Sequence, residues 1–324
     1  MLDYTIRRVA LLVPTVIVGS VILFLALRLL PPKDFVEQHF IANSPDLVLS
    51  DPGLLDRQRK ELGIYGPLHE QYFRWMSGFI TGDWGKSLVS QRPISEELVH
   101  RIPVSFELSF IGLFFTWVIS FPLGVIAAVR QDRPADYVLR TSAYALDALP
   151  SFVLGIFLLT FLAVNFRWAP PLTYSNLWDD PIRHAGIMLL PTLVIAVSSS
   201  GDLIRLTRTF LLEVLRQDYI RTARSKGLPE HTVLLRHAMR NIALPFITII
   251  GFQLPLLLTS SVILENLFSL PGMGRYLVSA AASLDYPVVM TTTMFFGIVI
   301  LVTQLITDLS YAWLDPRVSY AKGA

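Results

Sequence analysis

The chain has 324 residues, 53% of them hydrophobic and 16% charged, against roughly 25% charged in soluble domains. Several apolar runs approach or exceed the ~18–20 residues that cross a bilayer, which excludes a soluble domain and indicates a polytopic membrane protein. The net charge of +2 carries little information. The absence of cysteine excludes disulfides, thiol catalysis and cysteine-ligated metals, and leaves the redox compartment open.

In chain order, Arg7 and Arg8 precede an apolar run from Val9. That run is longer than a signal-peptide core and no small-x-small cleavage site follows it, so it reads as an uncleaved first span. Six spans emerge, at 9–30, 105–129, 143–166, 184–203, 242–264 and 287–307. Pro14, Pro122, Pro150, Pro191 and Pro255 lie within them, which membrane helices tolerate when neighbours satisfy the freed carbonyls. The fourth span is the weakest, and its Ser198–Ser199–Ser200–Gly201 run suits close helix packing.

Charge sets the topology. With both termini inside, the inner segments hold fifteen Lys and Arg and the two short outer loops hold Arg167, Arg183 and Arg275. Both termini are expected in the cytoplasm. The 31–104 segment is expected to be a small outward insert. Its start is loop-like (Pro31, Pro32, Pro45, Pro52), residues 71–80 form an amphipathic aromatic helix, and residues 95–101 form another short one.

Within this insert, Gly82–Asp83–Trp84–Gly85–Lys86–Ser87 invites comparison with a phosphate-binding loop. That loop needs a glycine five positions before the Gly-Lys pair, and Ile80 stands there. A turn at the membrane surface fits better. The six histidines fall at no metal-ligand spacing, and the acidic residues are scattered over separate loops, which disfavours catalysis. Asp147, four residues into the third expected span, has two readings. It lies on a translocation path, since ionisable groups inside membranes are expensive and often functional, or it pairs with a nearby Arg at the cytosolic interface. Gln253, mid-span, bridges helices or faces the same path.

The most informative segment is 217–245. Arg216, Arg221, Arg224, Lys226, Arg236 and Arg240 surround a Gly227–Leu228–Pro229 break, with Thr222, Ala223 and Ser225 just before it. Gly227 suits a left-handed cap and Pro229 the first turn of the next helix. The small residues would let a second surface approach the backbone. A basic helix–break–helix on the inner face, presented to a soluble partner, is the expected arrangement. Further on, Glu265, Phe268, Pro271, Gly272 and Gly274 lead to Asp285–Tyr286–Pro287 through a tight turn and a short apolar stretch.

These motifs resemble those of bacterial ABC importer permeases of the oligopeptide/dipeptide/nickel family. Tyr219, Arg221–Thr222–Ala223, Lys226–Gly227–Leu228 and Arg236–His237–Ala238–Met239–Arg240–Asn241 stand where that family carries its cytoplasmic EAA-type coupling loop. Arg221 replaces the Glu of the broader importer pattern. Residues 62–88 resemble the family's outward loop, with Trp84 in place of a common Leu. Residues 265–287 resemble its Glu/Phe/Pro-Gly/Asp-Tyr-Pro signature, and Tyr311 with Leu314–Asp315–Pro316–Arg317 its ending.

The resemblance implies an all-α type I importer permease fold with six transmembrane helices. Its parts are an N-terminal helix (1–30), an extracytoplasmic insert (31–104), a five-helix core (105–309) containing the coupling loop (217–241), and a cytoplasmic tail (310–324). It also implies a multi-pass place in a bacterial or archaeal cytoplasmic membrane. The implied function is non-catalytic passage of di- or oligopeptides, with nickel, glutathione or oligosaccharide as alternatives. Implied partners are the bilayer, a second permease, two cytoplasmic ATPases that bind the ATP and Mg, and an extracytoplasmic solute-binding protein; no cofactor, metal or nucleic acid is expected on this chain. Tyr219, Arg221, Thr222, Ala223, Lys226, Gly227 and Leu228 would meet the ATPase. Asp83, Trp84, Gly272 and Gly274 are candidate contacts for the binding protein. An ion-coupled transporter would want inverted repeats and several intramembrane ionisable groups, and Asp147 is the one candidate.

Overall fold

The computed structural model describes residues 2–29, 35–43, 46, 50–51, 53–171 and 173–314. Pro31, Pro32, Pro45, Pro52 and the tail residues Asp315, Pro316 and Arg317 lie outside them. Among the described residues the secondary structure is helical, with one isolated bridge between Lys86 and Pro93. Among the described residues, five helices are long and apolar enough to cross a membrane, six if a bent pair counts as one span. The contacts gather into two units, Met1–Ser105 with Pro271–Leu305, and Phe106–Leu270 with the chain from Ile306.

The first unit contains α1 (Leu2–Leu29), α2 (Phe35–Asn43), α3 (Leu54–Glu61), α4 (Leu68–Thr81) and the start of α5 (Ile94–Val129). It is completed by α13 (Met273–Ala282) and the first part of α14 (Tyr286–Leu314). The amphipathic helix expected at 71–80 is α4, closed by Gly82 in the left-handed region at φ 84°. It does not stand free in solvent. The Ser20 and Tyr72 hydroxyls lie 2.9 Å apart, and the Phe24 ring packs edge-on to Tyr72 and stacks on Trp75. The helix expected at 95–101 is the opening of α5, a 36-residue helix about 54 Å long at 1.5 Å per residue.

The second unit holds the rest of α5, then α6 (Pro134–Ala148), α7 (Ser151–Phe166), α8 (Pro181–Ser198), α9 (Ser200–Leu215) and α10 (Asp218–Ser225). A short turn, α11 (Glu230–Thr232), and a π-helical stretch (Val233–Ala238) lead into α12 (Met239–Leu267). The third expected span differs from expectation. Residues 143–166 belong to two helices, α6 and α7, bent by 96°. Leu149 is extended (φ −99°, ψ 115°) and Pro150 starts the next helix, because the Pro ring pushes its predecessor out of the helical region. Neither helix, at 15 and 16 residues, reaches across a ~30 Å hydrocarbon core alone. Pro14, Pro191, Pro245 and Pro255 instead sit inside continuing helices. The fourth span also ends sooner than expected, with Ser199 (ψ 0°) separating α8 from α9.

Two ion pairs pin α6 to α9. Arg208 donates through Nε and Nη2 to the two oxygens of Asp136, each at 2.7 Å, and Asp136 is fully buried. Arg205 pairs with Asp147, whose Oδ1 also accepts the Asp202 N–H at 3.0 Å. The helices meet so closely at Gly201 that a Cβ there would collide with Asp147 and the Ala143 carbonyl. At the far end of α8, the buried His184 ring lies 2.8 Å from the Ser175 carbonyl and 2.6 Å from Glu107. It thereby joins the 167–180 loop to α5. Burial, then the Glu107 charge, pushes the Tyr174 phenol in that loop up to about 12.

Candidate functional site

The basic segment folds as helix, break, helix. Helix α10 carries Asp218 in its first turn and Arg224 in its last, both favourable to the helix dipole. The Thr222 carbonyl accepts the Lys226 N–H at 3.1 Å, and the Arg224 carbonyl accepts the Gly227 N–H at 2.9 Å. Gly227 sits at φ 73°, a region where a β-carbon is penalised. Pro229 then opens α11 with φ −66°.

An ion pair absent from the sequence reading closes the break. Arg224 donates to both oxygens of Glu230, at 3.1 and 2.6 Å. This hydrogen-bonded guanidinium holds the Glu230 carboxyl below its usual range and raises Arg224 in turn. Both side chains are about half exposed, so the pair shapes the loop more than it stabilises the protein. An Arg and Glu six apart flanking a Gly-Pro turn could have been read from the sequence as such a clasp.

The periodicity of α10 divides its faces. Ile220 and Ala223 are buried against Leu203, Leu211, Val233, Ala238, Ile242 and Phe246. Tyr219, Arg221, Thr222, Lys226, Gly227 and Leu228 are exposed. This corrects the expectation for Ala223, whose small side chain admits its own π-helical stretch rather than a second surface. Arg221 lies 3.7 Å from Asp218. Among the described residues, Lys226, Arg236 and Arg240 carry no recorded ion pair. The arrangement is a cationic, exposed helix–break–helix with an apolar underside, one aromatic ring and one leucine exposed.

The other expected site residues separate. Trp84 is held within its unit: its indole N–H donates to the Phe79 carbonyl at 3.0 Å, and its ring stacks on Phe79 and meets Phe295 edge-on. Asp83 beside it is exposed. Gly272 and Gly274 are buried, which corrects their assignment as a contact surface; Gly272 caps α13 with extended backbone. Asp285, passed over in the sequence apart from its motif, is the anchor there. Buried to 2% exposure, it accepts the Ser87 hydroxyl at 2.5 Å and the Leu88 and Val89 N–H groups at 3.1 and 3.3 Å. The two signatures are thus one structure, with the turn at 85–90 held by the carboxylate of Asp285. Asp147 has the Arg205 partner that its interfacial reading expected. Gln253 bridges helices, accepting the Trp117 indole N–H at 3.1 Å.

Comparison with known proteins follows the same lines. Residues 120–320 match the family described as binding-protein-dependent transport system inner membrane component. The chain is 34% identical over 331 residues to the oligopeptide transport system permease protein AppB of Bacillus subtilis, covering 99% of this chain and all of that protein. It is 34% identical over 327 residues to the dipeptide transport system permease protein DppB of the same organism, covering 99% of each. It is 32% identical over 320 residues to the glutathione transport system permease protein GsiC of Shigella flexneri, covering 99% and 100%. Among solved structures, the inward-facing MetNI methionine ABC transporter matches in fold, with a TM-score of 0.51 and 16% identity over 67% of this chain and 96% of that one. The chain has the all-α fold of a type I ABC importer permease, and it belongs to the inner-membrane permease components of binding-protein-dependent ABC transport systems.

Proposed function

We propose that this chain is one of two permease subunits in an importer of di- or oligopeptides. It works with two cytoplasmic ATPases and an extracytoplasmic solute-binding protein. The single observation that carries the coupling role is the exposed face of α10 and its cap, where Tyr219, Arg221, Thr222, Lys226, Gly227 and Leu228 lie together on an apolar support. Such a segment can enter a cleft and convert its closure into a movement of the helices behind it, which is a rigid-body switch rather than chemistry. ATP and Mg belong to the ATPases, and the chain itself is non-catalytic. Both termini are placed in the cytoplasm, a reading supported by the positive-inside bias: that topology puts fifteen Lys and Arg on the inner side against three in the short outer loops.

The peptide assignment rests on the relatives named for oligopeptide and dipeptide transport. The glutathione permease at 32% identity supports a second reading, a small modified peptide. On the outer face, exposed Asp83 remains the candidate for meeting the binding protein, and Trp84 supports the turn that presents it. The test is reconstitution of the complex in liposomes with the binding protein and a peptide library. Peptide uptake with hydrolysis stimulated by the loaded binding protein is the expected result. Stimulation by a non-peptide solute alone would overturn the substrate class, and assembly without any ATPase would overturn the coupling role.

A further inference from the structure

The first unit encloses a cavity of about 590 Å³ between α1, the insert and the start of α14, a volume in the range of small-molecule sites. Its position relative to the bilayer follows from its walls. Arg28 comes from the last turn of the membrane span Thr5–Leu29, and Pro287 and Met290 from the first turns of the span Tyr286–Ser310. Both spans end at this cavity, which places it at the boundary of the hydrocarbon core where lipid phosphates lie. Trp75 and Trp84 form part of its wall, the residue type that concentrates at that depth.

The lining has both signs of charge. Arg28, Arg74 and Lys86 are set against Glu61 and Asp83. Two of the lining groups carry buried atoms without a partner: Arg74 Nε, a donor, and Gln71 Oε1, an acceptor. Other atoms of both groups are engaged. Arg74 donates to the Tyr65 carbonyl and lies over the Tyr65 ring at 3.9 Å, while Gln71 Nε2 donates to the Gly66 carbonyl at 2.9 Å. These contacts fix the orientation of both side chains and leave one donor and one acceptor unused in the same cavity. The great majority of buried polar groups have a partner in protein or ordered water, so a ligand that takes the place of water here is favoured if it offers an acceptor to the one and a donor to the other.

We propose that this cavity binds the headgroup of a phospholipid that carries a primary ammonium, of the phosphoethanolamine class. The phosphodiester oxygens accept from Arg74 Nε and lie near Lys86 and Arg28, and the ammonium donates to Gln71 Oε1 and faces Glu61 and Asp83. The acyl chains then run along exposed apolar surface of the unit, which includes Phe73 and Ile80 on α4, 66% and 77% exposed. A free phosphate would leave Gln71 and the two carboxylates without a donor. A bound lipid would hold the insert against α1 at the membrane surface, a role for these cations that neither coupling nor solute recognition requires.

The full-length chain, purified and delipidated in detergent, would be examined by native mass spectrometry with three probes: phosphatidylethanolamine, phosphatidylcholine and inorganic phosphate. One phosphatidylethanolamine per chain should survive activation that strips phosphatidylcholine, whose quaternary ammonium has no N–H to donate. Arg74→Gln and Lys86→Gln should each weaken retention by about tenfold or more, a difference that one lost charge-assisted hydrogen bond can supply. Arg57→Gln, outside the cavity, should leave retention unchanged. Lys86 is exposed, so its variant decides the matter if Arg74→Gln fails to fold. Retention that ignores both substitutions means annular lipid only and overturns the proposal. Equal retention of phosphatidylcholine, or displacement of the lipid by millimolar phosphate or by a transported peptide, overturns it as well.

Discussion

Gly227 carries the sharpest expectation at the scale of single residues. Its φ of 73° lies in the left-handed region, and a β-carbon built on it meets nothing within 4 Å. A substitution there is therefore penalised by backbone strain alone, about 1–2 kcal/mol for a β-branched side chain. Gly227→Val should insert normally yet lose association with the ATPase, because relaxing the strain moves Tyr219 to Leu228 off their support. Gly227→Asn, which tolerates this conformation, should retain most of the association. Co-purification of the ATPase with each variant is the measurement, and equal recovery with Val and Asn would remove the strain argument. Trp84 is a less clean probe than its exposed neighbour Asp83. Its ring and N–H are engaged with Phe79 and Phe295, so Trp84→Ala disturbs the turn as well as any partner contact.

Among the elements, the pairing of α6 with α9 depends on a buried charge. Asp136 is fully buried and receives two hydrogen bonds from Arg208 and one from the Asp132 N–H at 2.9 Å. Removing the cation strands the carboxylate, and breaking a buried pair from one side costs about 3–5 kcal/mol. Arg208→Ala should lower the melting temperature of the purified chain markedly, and adding Asp136→Ala should restore part of the loss. A single variant as stable as the parent would show that the pair contributes nothing. A second set of contacts lies beside the 96° bend at Leu149 and Pro150. Asp147, two residues before the bend, is tied to Arg205 and to the Asp202 N–H, and Gly201 lets the backbones close on it.

For the whole molecule, topology governs every functional statement. The basic segment can meet a nucleotide-driven partner only from the cytosolic side. A cysteine introduced at Asp51 should react with an impermeant thiol reagent in intact cells, and one at Gln131 only after permeabilisation. The chain has no native cysteine to obscure the result. The opposite pattern would place α10 outside and end the coupling proposal. The 31–104 segment belongs to this question too, since its helix α4 lies against α1 at Ser20 and Phe24, well inside the span Thr5–Leu29. It packs with the membrane helix beside it, which a free-standing soluble insert would not do.

The sequence by itself determined what depends on neighbouring residues and on transfer from water to lipid. The spans follow from runs of apolar side chains, and the helix–break–helix follows from Gly227 and Pro229, whose backbone preferences act within one turn. The motifs at 217–241 and 265–287 were legible for the same reason, as strings of adjacent residues. What only the tertiary structure decided depends on residues far apart in the chain. Ala223 faces inward because Val233 and Leu211 are there to cover it. Pro150 breaks its helix where Pro14, Pro191 and Pro255 do not, and the α6 end beside it is tied to Arg205 and Asp202, residues that lie more than fifty positions on. Gly272 and Gly274 are buried rather than presented, and Asp285 reaches back to Ser87 across 198 positions. Local propensity cannot report such pairings, because their energy exists only once burial has removed water from both partners.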